Sequence, residues 1–335
     1  MQDRIKYLDV AKFIGIFCIF LGHFGTSAGN AYWFVFTFHV PLFFFLSGCA
    51  ENLSADIPLY KYVLKNIKTI LIPCYLFAII SVVLQCVFTN THVEVLPSLI
   101  QILKGCIRNH FFASGLWFLT CLFVIKIVFY ILRKLLKFKV LVLLVCLAFY
   151  FVAQLVITPK PIITPNMPYN IDSACYYIVF YAIGYCCFGA IRSVFALDST
   201  AKKIGCILVG IASFAFSSAL FFGKNLFYFF ASNTIIYLID CLFSPLIIIS
   251  FVLVVSKLME TVNLFVELGR NTLFLCGSEH IIKSLVPICL QIIGLEINLP
   301  NPVAAYIYTF VLLILSYKIC IPIEKWIFKK LRLFK

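Results

Sequence analysis

Few residues in this chain have types and spacings that could do chemistry, and they sit in apolar surroundings. They are Asp9, Lys12 and His23 along the first apolar segment, His39 just ahead of Pro41, and the pair Glu279-His280 far downstream. From Lys12 to His23 is eleven residues, about 1,100° of helical rotation, so the two lie roughly 20° apart on one face and about 16 Å apart along the axis. Asp9 falls about 40° off the same face. Such a stripe carries acid, base and imidazole across most of a bilayer. Histidine exchanges a proton near neutral pH more readily than any other side chain, which makes His23 the first candidate for a general base. The competing reading is a polar side chain at headgroup level with no chemical part.

The elements that must hold these residues follow from composition. Hydrophobic residues make up 63 % of the 335 and charged ones 12 %, against the near-half and quarter of soluble domains, so the chain reads as an all-α polytopic membrane protein. Hydropathy predicts ten spans, near 8–24, 32–50, 67–88, 116–132, 140–157, 174–191, 204–222, 233–256, 268–293 and 302–321, with breaks expected at Pro73 and Pro287. Residues 1–335 are expected to form a single transmembrane domain, with no room for a second soluble one. The stretch 90–108 reads as an amphipathic surface helix, residues 227–236 as an interfacial segment, and Pro159, Pro161, Pro165 and Pro168 as a stiffened outer loop.

A formal net charge of +14 invites a nucleic-acid partner, but its distribution argues for orientation instead. Twenty of the 27 lysines and arginines fall on one side of ten spans, which predicts both termini in the cytoplasm and no nucleic-acid binding. The fifteen cysteines are scattered through apolar runs without metal-ligand spacing and read as small hydrophobes. With that topology His23, His39, His280, Asp240 and Glu279 are expected to meet in the outer half of one bundle, above a basic stripe of Lys12, Lys65 and Lys68.

Six blocks in order then resemble the membrane acyltransferase family 3, in particular its carbohydrate O-acetyltransferases of the fucose 4-O-acetylase-like branch. These are Arg4 with Tyr7-Leu8-Asp9-Val10-Ala11-Lys12 leading to Leu21-Gly22-His23; Phe38-His39-Val40-Pro41 through Ser47-Gly48; and Lys68 before Pro73 and Tyr75. Leu116-Trp117-Phe118-Leu119, Tyr176-Tyr177 through Gly184-Tyr185, and Leu268-Gly269-Arg270-Asn271-Thr272-Leu273 closing on His280 complete the set. Two departures stand out. Lys12 occupies a position where arginine is frequent, and Cys276-Gly277-Ser278-Glu279 precedes His280 in place of a hydroxyl and aromatic run.

The resemblance implies transfer of an acetyl or other short acyl group from acyl-CoA to a hydroxyl of a cell-surface or lipid-linked carbohydrate, by a multi-pass protein of the bacterial inner (plasma) membrane. It implies catalytic roles for His23, Asp9, Lys12 and His39. Arg4, Lys12, Lys65 and Lys68 would meet the phosphates of CoA, and Trp117, Glu279 and His280 the acceptor. No permanently bound cofactor or metal is implied, acetyl-CoA being a donor substrate, and a homodimer is compatible with the reading. The competing class is a proton-coupled transporter or lipid-linked sugar flippase, which intramembrane Asp240, Lys126 and Glu279 would also suit. Against it, no paired hydropathy repeat is visible.

Overall fold

Long apolar runs leave the backbone no partner for its N–H and C=O groups except itself, and helices are the only regular structure among the described residues. The computed structural model describes residues 4–54, 56–88, 94–107, 115–157, 166–223 and 234–330. In chain order the helices are α1 (Lys6–Gly22), α2 (Asn30–Asn52), α3 (Leu59–Asn66), α4 (Ile72–Phe88), α5 (Val95–Leu103), α6 (Trp117–Leu135), α7 (Lys139–Val152), α8 (Ile171–Val194), α9 (Thr200–Phe221), α10 (Thr234–Leu258), α11 (Asn263–Arg270), α12 (Thr272–Ile292), α13 (Pro302–Leu315) and α14 (Ile321–Lys330). Single π-helical turns join α3 to α4 at Ile67–Leu71 and α13 to α14 at Ser316–Cys320.

Eight helical stretches among the described residues are long and apolar enough to cross a membrane. The two predicted spans outside that set are α1 and α6. At 17 residues α1 measures about 25 Å, short of the roughly 30 Å of a hydrocarbon core. α6 carries Lys126, Arg133 and Lys134 within its 19 residues.

Three other expectations shift. The π-turn absorbs the missing donor of Pro73, so the third span continues unbroken from Leu59 to Val87. α12 likewise runs through Pro287. The ninth span, predicted from 268, instead starts at Thr272, because Asn271 turns its Nδ2 back to the Glu267 carbonyl at 2.7 Å and ends α11. The amphipathic helix expected at 90–108 is realised over Val95–Leu103. Residues 89–93 and 108, Pro159, Pro161 and Pro165, and most of the interfacial segment 227–236 lie outside the described residues.

The chain folds as two compact units interleaved along the sequence. The first comprises Met1–Asn52, Ile183–Thr272 and Asn298–Leu313 and is centred on α1, which packs against α2, α10 and α11. α1 buries both of its sides, from Val10 and Ala11 to Ile16 and Phe20. Two glycines set the spacing here. A Cβ on Gly269 would fall on the carbonyl oxygen of Asp9, and one on Gly184 on that of Phe45, so α11 and α8 approach α1 and α2 at backbone contact.

The second unit comprises Leu53–Ala182, Leu273–Ile297 and Ile314–Lys335. Its core holds an aromatic cluster of Phe77, Phe274 and Phe328 and a second run of Tyr62, Tyr130, Phe129 and Tyr181.

Candidate active site

In the first unit the predicted stripe lies on α1. Asp9 is 1 % exposed, and its carboxylate gathers three cations. Arg4 donates from Nε at 2.7 Å and from Nη2 at 3.1 Å, Lys12 Nζ stands at 3.3 Å, and Arg270 Nε at 3.7 Å. Arg4 and Lys12 flank the acid on the same chain segment, whereas Arg270 arrives on α11, brought there by the Gly269 contact. A carboxylate buried this deeply is stabilised only by such partners. Arg270 also pairs with Glu267, so two acids among three cations leave a single net positive charge, and all three cations retain solvent contact, with side chains 53 %, 28 % and 34 % exposed for Arg4, Lys12 and Arg270. Arg270 belongs to the Leu268-Gly269-Arg270 block, but nothing in residue spacing pairs it with Asp9.

At the far end of α1, His23 follows the last helical residue and is exposed. Its ring centroid lies 6.5 Å from that of Phe36. His39 lies one turn further along α2 and is buried, with its ring edge-on to the same Phe36 at 5.1 Å. The two histidines therefore flank one phenylalanine. His39 Nδ1 sits 2.6 Å from the Val35 carbonyl. A carbonyl only accepts, so Nδ1 carries a proton. Ser47, a candidate oxyanion donor, gives its hydroxyl to the Phe43 carbonyl at 2.7 Å. Asp240, on α10, accepts from Ser244 Oγ.

The remaining predicted residues belong to the second unit. Lys65 and Lys68 are exposed, one in α3 and one in the π-turn that follows. Trp117 is buried at the start of α6, its ring 6.1 Å from that of Tyr177. Glu279 is buried and pairs with Lys283 at 2.8 Å, one turn along α12. His280 faces a narrow cleft between α4 and α12 that Ser81, Gln85 and Ser284 also line.

Residue patterns gave no sign of the polar knot beside Trp117. Asn170, fully buried, directs Nδ2 to Thr120 Oγ1 at 2.9 Å, to the Gly105 carbonyl at 3.2 Å and to the Trp117 carbonyl at 3.4 Å. Its partners lie 50 to 65 residues away in sequence, so only folding assembles it. Among the described residues no cluster of three or more histidine, cysteine or acidic side chains could hold a metal ion.

The arrangement thus provides an imidazole at the end of a helix, a second imidazole anchored to a backbone carbonyl, and a group of cations organised by one acid. These are parts suited to activating a hydroxyl and holding an anionic partner. Comparison with curated proteins and with solved structures gives no match. A family model described as an acyltransferase domain, acyltransferase 3, matches residues 5–321, nearly the whole chain. The chain is accordingly a multi-pass membrane protein that belongs to the acyltransferase 3 family.

Proposed function

We propose that the protein transfers an acetyl or other short acyl group from acyl-CoA to a hydroxyl of a cell-surface or lipid-linked carbohydrate, with His23 as general base. The reading rests on one observation above all: a single helix, α1, carries a cation cluster at one end and an exposed histidine at the other. A CoA thioester has its phosphates and its reacting carbonyl at opposite ends of a long arm, and this arrangement suits both. Arg4 and Lys12 would meet the phosphates, with Lys65 and Lys68 as further cations. The distribution of lysine and arginine over ten spans supports cytoplasmic termini, and on that reading the cation end of α1 faces the side where CoA resides. The acceptor then arrives from the other face of a bacterial inner membrane and meets Trp117, Glu279 and His280.

In the reaction, His23 takes the proton of the acceptor hydroxyl as its oxygen adds to the thioester carbonyl. The tetrahedral intermediate collapses by breaking the C–S bond, and the imidazolium returns the proton to the CoA thiolate. A base of this kind contributes about 10²–10⁴-fold. His39, whose ring lies edge-on to the same Phe36 that His23 approaches, serves as a second catalytic imidazole near the reacting hydroxyl. Asp9 holds Lys12 and Arg4 in place without taking a proton.

The test is transfer of labelled acetyl from acetyl-CoA to carbohydrate in membranes holding equal amounts of wild type or His23→Ala. The expected result is label with wild type and a fall of about 100-fold or more in the variant. Equal label from both would remove His23 from the chemistry, and no label from either, with a broad acceptor pool, would remove acyl transfer.

A further inference from the structure

Within the second unit, α4 and α12 touch and then leave space between them. Phe77 packs on Gly277, where a Cβ would fall on the ring, so the two helices are in close contact at that level. One turn further along each helix stand Ser81 and Ile281, and there the cleft that His280 faces opens. It leaves about 280 Å³ of space, part of it open to the surroundings. That is at the foot of the roughly 300–1,000 Å³ of small-molecule pockets, room for a small group and not for a nucleotide.

The lining is of two kinds. Ser81 and Gln85 on α4, and His280 and Ser284 on α12, form two polar pairs, each spaced by one turn, about 6 Å along its helix. Aliphatic side chains, among them Ile281 and Leu285, supply the rest. Neither Glu279 nor Lys283 lines the cleft; they pair with each other at 2.8 Å. Serine, glutamine and neutral histidine each both donate and accept hydrogen bonds. A ligand matched to this lining is uncharged, offers hydroxyl-like groups along one edge, and has apolar faces.

One of the four polar groups lacks a partner. Serines inside a helix commonly give their proton to the carbonyl one turn back, as Ser47, Ser213, Ser217 and Ser250 do at 2.6 to 2.9 Å. Ser81 is 2 % exposed, and its Oγ bonds nothing among the described residues. A buried hydroxyl without a partner destabilises a fold and calls for an explanation. Because Ser81 lines the cleft, an occupant of the cleft supplies the partner.

We infer that the cleft between α4 and α12 binds one ring of a neutral sugar edge-on, with Ser81, Gln85, His280 and Ser284 bonding its hydroxyls. A pyranose carries hydroxyls around its edge and C–H bonds on both faces, so it answers both kinds of lining. Identifying that ring as part of the carbohydrate acceptor rests on the proposed function. On that reading Ser81, Gln85 and Ser284 select the acceptor.

The experiment has two arms. In the first, the purified protein in detergent is treated with diethyl pyrocarbonate, and modification of His280 is read by mass spectrometry with and without a mixture of neutral methyl pyranosides. The pyranosides should slow modification several-fold in wild type and leave it unchanged in the Ser81→Ala/Gln85→Leu double variant. No protection in wild type, or equal protection in both proteins, overturns the site. Protection by inorganic phosphate in place of the pyranosides overturns the neutral ligand.

The second arm follows Ser81→Ala alone. Its hydroxyl has no bond within the protein to lose, so the variant should unfold at or above the wild-type temperature. A lower midpoint would mean an internal partner for Ser81 and overturns the argument. With labelled acetyl-CoA and a cell-surface carbohydrate extract, the acceptor concentration for half-maximal transfer should rise about three- to ten-fold, as loss of one hydrogen bond predicts, with half-saturation by acetyl-CoA as in wild type. Unchanged acceptor saturation removes the cleft from acceptor recognition. Should wild type transfer no acetyl at all, the proposed function fails, and the sugar site then stands or falls on the protection of His280.

Discussion

Replacing Asp9 tests whether one buried carboxylate organises the cation end of α1. The acid accepts from Arg4 at 2.7 and 3.1 Å and from Lys12 at 3.3 Å, with Arg270 at 3.7 Å, while its own side chain is 2 % exposed. Hydrogen bonds to a charged partner contribute about 1.5–3 kcal/mol where both groups are buried. Here the cations keep 28 to 53 % of their side-chain surface in solvent, which draws each contribution toward the roughly 0–1 kcal/mol of surface pairs. Three such partners give about 2–3 kcal/mol for Asp9→Ala. Asp9→Asn, which keeps an acceptor oxygen, should lose about half of that. In detergent micelles, with tryptophan fluorescence following thermal unfolding, Asp9→Ala should unfold roughly 3–6 °C below wild type and Asp9→Asn between the two. Because the acid holds cations and takes no proton, both variants should raise the acetyl-CoA concentration for half-maximal rate while leaving the pH profile of transfer unshifted. An Asp9→Ala protein that unfolds within about 1 °C of wild type would falsify the clamp, and a displaced pH profile would return Asp9 to the proton chemistry.

Further outcomes follow from the same geometry. Gly269→Ala puts a methyl on the Asp9 carbonyl oxygen, a backbone atom that cannot rotate away, and should cost at least the roughly 1–3 kcal/mol of core overpacking; a Gly269→Ala protein as thermostable as wild type would mean that α1 and α11 are not in backbone contact. His39→Asn keeps a donor for the Val35 carbonyl but removes Nε2, so stability should hold while acyl transfer falls by about 10²-fold, and full activity would make His39 purely structural. At the start of the second unit, the hydrogen bond from Lys134, with Arg133 nearby, holds the Asp56 carboxyl below the usual carboxylate range. A depressed carboxyl adds stability that is complete above its unfolded value near pH 4 and is lost as pH falls through the folded value. Limited proteolysis of the 53–58 connection should therefore accelerate only below about pH 4 in wild type. Asp56→Asn should remove that pH dependence, and a break near neutral pH would point to another group.

How much of this was legible beforehand differs between the chemistry and its setting. Asp9 and Lys12 share α1 and His23 caps its end, so their separation along the chain could be read from spacing, because a helix carries its own geometry at 100° per residue. The helical class was equally plain, since apolar runs of this length have no other way to satisfy their backbone. Helix ends were less legible. Asn271 stops α11 and a π-turn carries the chain past Pro73, and both depend on where a local carbonyl finds its donor rather than on hydropathy.

Contacts between segments far apart in sequence were decided only by tertiary structure. Arg270 reaches Asp9 because Gly269 lets two backbones touch across some 260 residues of chain. The setting of the His39 ring depends on a hydrogen bond, not on residue order. The Asn170 knot draws on Gly105, Trp117 and Thr120, and no sequence pattern links Asn170 to that distant stretch. Periodicity is a property of one element and survives without the rest of the molecule. Close approach and burial belong to pairs of elements and exist only once the chain has packed.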